Sequence, residues 1–142
     1  MNTTIDNIHL ATHLVYTAGN LAYRMRGQGL TIDTKTSISD VVTQADRAAE
    51  EYVTSTLIQQ RPDDSVLGEE GTLRLGESGT RWTIDPVDGT YNFANNFEYW
   101  CSAIAFTEND PTDPVRLRSR ERYLSPSNTV TAGAFYQPCT HN

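Results

Sequence analysis

The sequence is short of positive charge. Eleven Lys and Arg residues stand against eighteen Asp and Glu, a formal net charge of −7 at pH 7, and such a surface repels polyphosphate backbones and anionic headgroups. Neither nucleic acid nor membrane is expected as a partner, and an anionic substrate would need a cation recruited beside it. Long apolar runs are missing too. Nothing approaches the length of a membrane span, and the start MNTTIDNIHL has neither the basic residues nor the apolar stretch of a secretory signal, so a cytoplasmic protein is expected. Cysteine is limited to Cys101 and Cys139, which lack metal-ligand spacing. In a chain without a leader such a pair is expected to stay reduced.

What is present fits one domain over residues 1–142, with 37% hydrophobic residues for its core. Apolar residues at Ile8, Ala11, Leu14, Val15, Ala18, Leu21, Ala22 and Met25 form the one-sided stripe of an amphipathic helix, which Gly27 and Gly29 are expected to end. His9 and His13 lie one turn apart on it, but a metal needs more than a pair, and they read as surface or packing residues. Ala45, Ala48, Ala49, Tyr52, Val53 and Leu57 predict a second helix, with Thr43 as its N-cap and Pro62 beyond its end. Between the two helices, LTIDTKTSISD has the alternation of an extended segment. The stretches SVLG, RWTID, WCSAIAF and TVTAGAFY read as strands. Helices followed by strands predict a layered α/β or α+β fold in which helices cover a sheet. Residues 108–128, with Arg116, Arg118, Arg120 and Arg122 and no apolar period, read as a long loop or disordered insertion, a solvated charge run rather than a basic binding patch.

The acids gather at strand ends. In WTIDPVDGTYNF, a strand ending at Ile84 delivers Asp85 to its carboxyl edge, where α/β proteins tend to place ligands. Pro86 fixes the backbone between Asp85 and Asp88, Gly89 allows a positive φ, and Thr90 opens a short helix whose first amides are unused. Carboxylates for a cation thus adjoin amides for an anion. Mg²⁺ suits such a place, because it takes oxygen ligands and bridges acids to a phosphate. On these residues alone, a strand-end Asp85 and an ordinary Asp88-Gly89 turn remain equally open. In SVLGEEG, Glu69 and Glu70 follow another strand end between Gly68 and Gly71; neighbouring residues point apart, so one at most faces a site. In SDVVTQAD, Thr43 and Asp46 have capping-box spacing, and capping alone would account for Asp46.

Taken in order, DTKTSISDVVTQAD, PDDSVLGEEG and WTIDPVDGTYNF resemble the inositol monophosphatase family of Mg²⁺-dependent phosphatases over about residues 8–107, Asp-Pro-Val-Asp-Gly-Thr being that family's signature. The resemblance implies the N-terminal half of an αβαβα sandwich, with helices covering a mainly antiparallel sheet. It implies two or three Mg²⁺ ions, with Glu69, Asp85 and the Val87 carbonyl on the first and Asp85 and Asp88 on the second. Gly89 and Thr90 match the phosphate-binding amides, Asp46 and the Thr90 hydroxyl match the pair that orients the attacking water, and Lys35 holds a supporting position. The implied reaction is direct hydrolysis of a small phosphorylated polyol, inositol monophosphate first, by a homodimer. Histidinol phosphate and nucleotide or sugar bisphosphates are the alternatives within the family. Members are longer and carry a Trp-Asp motif in their second half, absent here; a truncated domain, inactive or retained as a metal-binding remnant, is therefore a further alternative.

Overall fold

A computed structural model describes residues 3–32, 38–69, 71–108 and 132–138. Two long helices come first, α1 (Thr3–Ile32) and α2 (Ile38–Gln60). Strands β1 (Ser65–Gly68), β2 (Leu73–Arg74) and β3 (Thr80–Asp88) follow, then the short helix α3 (Thr90–Ala94) and strands β4 (Cys101–Glu108) and β5 (Ala132–Tyr136). The strands form one sheet in the order β2-β1-β3-β4-β5. β1 runs parallel to β3, and every other pairing is antiparallel. The expected class, helices over a mainly antiparallel sheet, is the one observed.

Periodicity explains the layers. Leu10, Ala11, Leu14, Ala18 and Ala22 of α1 are buried, as are Ala45, Ala49, Val53 and Leu57 of α2, each set recurring at the three- and four-residue steps that keep to one helix face. The alanines let the two helices approach closely. Against them the sheet turns Trp82, Ile84, Ile104 and Phe106, all at most 2% exposed, in the two-residue period of strands. Each large apolar side chain so buried contributes about 1.5–3 kcal/mol. Trp82 also needs a partner for its N–H and donates it to Asp64 Oδ2 at 2.8 Å; Asp64 Oδ1 accepts from Ser78 Oγ at 2.6 Å. On the far face Thr83 and Phe135 are exposed, and Ala103 and Ala105 are half-buried.

Several expectations change. α1 does not stop at Gly27 and Gly29 but continues to Ile32: a glycine costs a helix only about 1 kcal/mol, which packing along its length outweighs. Residues 30–32 and 38–40, read as extended, are helical, and 33–37 lie outside the described residues together with Lys35. α2 starts at Ile38, so Thr43 is not its N-cap and the capping account of Asp46 fails; Asp46 sits past the second turn, beyond the reach of the unpaired first amides. Ile8 is exposed rather than part of the buried stripe. RWTID does not end at Ile84 but lies within a strand that runs on to Asp88, with a bulge between Asp85 and Asp88. Pro86 accounts for the irregularity, since it has no N–H for the ladder. β2 was not foreseen. β5 holds the predicted AGAFY, while residues 109–131, including most of the 108–128 segment, and Cys139 lie outside the described residues. Among the described residues no helix is long and apolar enough to cross a membrane.

Candidate functional site

The parallel pairing of β1 with β3 brings the end of β1 level with the middle of β3, just before its bulge. Gly68 is level with Ile84, so the next residues, Glu69 just past the end of β1 and Asp85 within β3, stand side by side. The Glu69 N–H donates to the Ile84 carbonyl at 3.2 Å, and a tight turn follows, Gly68 N–H donating to Thr72 O at 2.7 Å. Asp46 arrives from the buried face of α2, only 5% exposed. Asp88 comes from the far side of the bulge, where it lies opposite Cys101 of β4.

These acids act on one another. The Asp85 carboxyl is pushed from an ordinary 3.8 up to about 8, first by burial, then by a side-chain hydrogen bond with Glu69 and by the charges of Glu69, Asp88 and Asp46. Near neutral pH, then, Asp85 keeps its proton, because burial and the neighbouring negative charges both disfavour its ionised form. A divalent cation can replace that proton and relieve all four carboxylates. Hard oxygen anions packed this way have the chemistry of Mg²⁺ ligands, so the residues present fit such an ion, although no three His, Cys, Asp or Glu among the described residues already stand in a coordinating arrangement.

The turn after β3 supplies the rest. Gly89 sits in the left-handed region, at φ 95° and ψ 48°, and a Cβ there would come within 3.2 Å of the Tyr99 carbonyl; both facts favour glycine. The first bond of α3 runs from Phe93 N–H to Gly89 O at 3.0 Å, and the amides before Phe93 have no acceptor within that helix. Thr90 is exposed, its hydroxyl 3.5 Å from the Val87 carbonyl, while the Val87 side chain is buried in the core. A cavity of about 340 Å³ opens here between Asp88, Gly89, Tyr99, Trp100 and Phe135.

Of the expected residues, Asp46, Glu69 and Asp88 stand near enough to act on the charge of Asp85, and Val87, Gly89 and Thr90 follow it along the chain. His9 and His13 are exposed on α1 and take no part. Two neighbours escaped the sequence reading. Glu50, one turn beyond Asp46, is 5% exposed, accepts from Thr72 Oγ1 at 2.7 Å and presses on Gly68, where a Cβ would lie 2.4 Å from Glu50 Oε1. Its four-residue step from Asp46 was the available signal. Cys101, given no role, places Sγ 4.0 Å from Asp88 Oδ2. Burial first, then Asp88 and Asp85, raise its pKa, so it stays a thiol and is a poor nucleophile.

The profile of the inositol monophosphatase family matches residues 5–112. A histidinol-phosphatase of Mycobacterium tuberculosis is 42% identical over 104 residues, covering 72% of this chain and 40% of that protein. An inositol-1-monophosphatase of Synechocystis sp. is 35% identical over 104 residues, covering 72% of this chain and 36% of that protein. Among solved structures, the extragenic suppressor protein suhB from Bartonella henselae superposes with a TM-score of 0.69 at 26% identity, over 94% of this chain and 44% of that one. This chain thus spans about 40% of the length of the curated relatives it matches. On profile, relatives and fold together, the chain belongs to the inositol monophosphatase family.

Proposed function

We propose that the acidic edge binds Mg²⁺ and serves the hydrolysis of a small phosphate monoester. The observation that carries this reading is a half-buried Asp85 hydrogen-bonded to Glu69 with Asp46 and Asp88 near, whose carboxyl near neutral pH holds a proton that a cation could replace. Glu69, Asp85, Asp88 and the Val87 carbonyl would hold the metal. Bound there, Mg²⁺ supplies positive charge to a phosphate that this acidic protein otherwise repels, together with Lewis acidity. The chain's own groups do the remainder. The Gly89 and Thr90 amides donate to phosphate oxygens. Asp46 and the Thr90 hydroxyl orient a water molecule, and Asp46 accepts the proton it loses as it attacks phosphorus, a task commonly worth about two to four powers of ten in rate. The ester oxygen departs as the P–O bond breaks and takes a proton from solvent to leave as the alcohol, with no covalent bond to the enzyme.

Inositol monophosphate is the first substrate proposed, in keeping with the family. Histidinol phosphate is the second, favoured by two relatives named histidinol-phosphatase, at 42% and 38% identity. The test is calorimetric titration of Mg²⁺ into the folded chain, alone and with inorganic phosphate, followed by phosphate release from both monoesters. Uptake that D85N abolishes is expected; a folded chain that takes up no Mg²⁺ overturns the reading.

A further inference from the structure

Arg26 lies near the end of α1, remote in sequence from every residue assigned above, yet it is only 4% exposed. Its Nη1 donates to two main-chain carbonyls, Phe97 O at 3.1 Å and Phe93 O at 3.2 Å. Three rings face the guanidinium, Phe93 at 5.0 Å, Tyr23 at 5.5 Å and Trp100 at 5.6 Å from centroid to Cζ. Two of those rings, Phe93 and Trp100, also meet edge to face at 4.8 Å. A buried charge is tolerated only where such partners replace water, so the geometry around it is tightly determined.

Phe93 lies in α3, and Phe97 and Trp100 lie in the connection from α3 to β4, so Arg26 clasps the helix end and its link to the next strand. Asn92 Nδ2 ties the same connection together by donating to Tyr99 O at 2.8 Å. Trp100 backs the Gly89 turn, its Cα and Cβ 3.4 Å from the place a Gly89 Cβ would take. The next residue, Cys101, is the register partner of Asp88. Whatever fixes residues 93–100 therefore fixes where Asp88 and Gly89 stand relative to Glu69 and Asp85.

We propose that Arg26 is a positioning residue for the metal centre: reaching across from α1, it pins the 93–100 connection and so sets the place of Asp88 beside Asp85. The proposal rests on the reading of the acidic edge as a Mg²⁺ site. It is tested on the whole chain by titrating Mg²⁺, alone and with inorganic phosphate, into wild type, R26M, R26K and D85N. Each protein is also melted and followed by amide hydrogen exchange.

R26M keeps the stem but loses the charge and both hydrogen bonds. It is expected to melt cooperatively, to bind Mg²⁺ about tenfold more weakly, as loss of outer partners of metal ligands commonly does, and to exchange faster at 93–100 than at β1 or β3. In R26K an ammonium still faces the rings and carbonyls, and the loss is expected to shrink to roughly two- to threefold. R26M binding Mg²⁺ as tightly as wild type overturns the proposal. Should R26M fail to fold, R26K decides: wild-type affinity and wild-type exchange at 93–100 overturn it equally. Mg²⁺ uptake absent from wild type itself would instead remove the underlying reading and this proposal with it.

Discussion

Replacing Gly68 by alanine tests how the Glu69 turn is held. A Cβ on Gly68 would lie 2.4 Å from Glu50 Oε1 and 2.6 Å from its Cδ, whereas ordinary contact begins near 3.4 Å. Oε1 must therefore retreat by about 1 Å, and turning the carboxylate to do so strains the 2.7 Å bond that Oε2 accepts from Thr72 Oγ1. A hydrogen bond to a buried charged group is worth about 1.5–3 kcal/mol, and overpacking adds about 1–3 kcal/mol. The expected loss is about 3–5 kcal/mol, a large part of the 5–15 kcal/mol typical of a domain. Urea denaturation followed by tryptophan fluorescence measures it, and E50A with the double variant completes the cycle. Because E50A removes the obstacle, the two changes should couple by about 1 kcal/mol or more. A G68A protein within about 0.5 kcal/mol of wild type, or a cycle that closes additively, refutes the contact as described.

Three further outcomes are expected. D85N mimics the protonated acid and should leave the metal-free melt close to wild type; wild type alone should gain stability with Mg²⁺, by about 2.7 kcal/mol at a hundred times Kd, and an equal gain in D85N would contradict the ligand assignment. The Asp85 pKa is raised in the folded state, from 3.8 to about 8, so the native chain holds a proton that the unfolded chain releases. Metal-free stability should then be greatest below about pH 4 as far as this group is concerned and fall as pH rises towards 8. Saturating Mg²⁺ should flatten or reverse that fall, and thermal melts across the range check it. W82F removes the indole donor from Asp64 Oδ2 and should cost about 2 kcal/mol in urea denaturation; a loss below about 0.5 kcal/mol would mean that Ser78 alone satisfies that carboxylate.

Local chemistry made most of this legible. The stripes of α1 and α2 and the β-branched and aromatic runs of β1, β3, β4 and β5 could be read along the chain, because helix and strand periods are properties of short windows. Leu73–Arg74 is too short to carry a period. The β-branched start of α2, from Ile38, looked extended because propensity is a weak prior that tertiary context overrides. What joins distant windows stayed hidden. Glu69 could be placed at a strand end, but that β3 runs on past Asp85, and that its parallel pairing with β1 makes the two acids neighbours, could not be read from the sequence. Glu50 and Arg26 stood out least, because their meaning depends on Thr72 and Phe93, 22 and 67 residues away.

The bulge in β3 has one more consequence. Residues three apart in a regular strand fall on opposite faces, which would send Asp85 and Asp88 to opposite sides of the sheet. Their partners, Ala103 and Cys101, are two apart and share a side, so the extra residue restores the parity and brings both aspartates to one surface. Pairing the same four residues regularly, without the bulge, would swing the second carboxylate to the opposite face even though every side chain survived. For that four-residue phrase, the irregular pairing matters as much as the spelling.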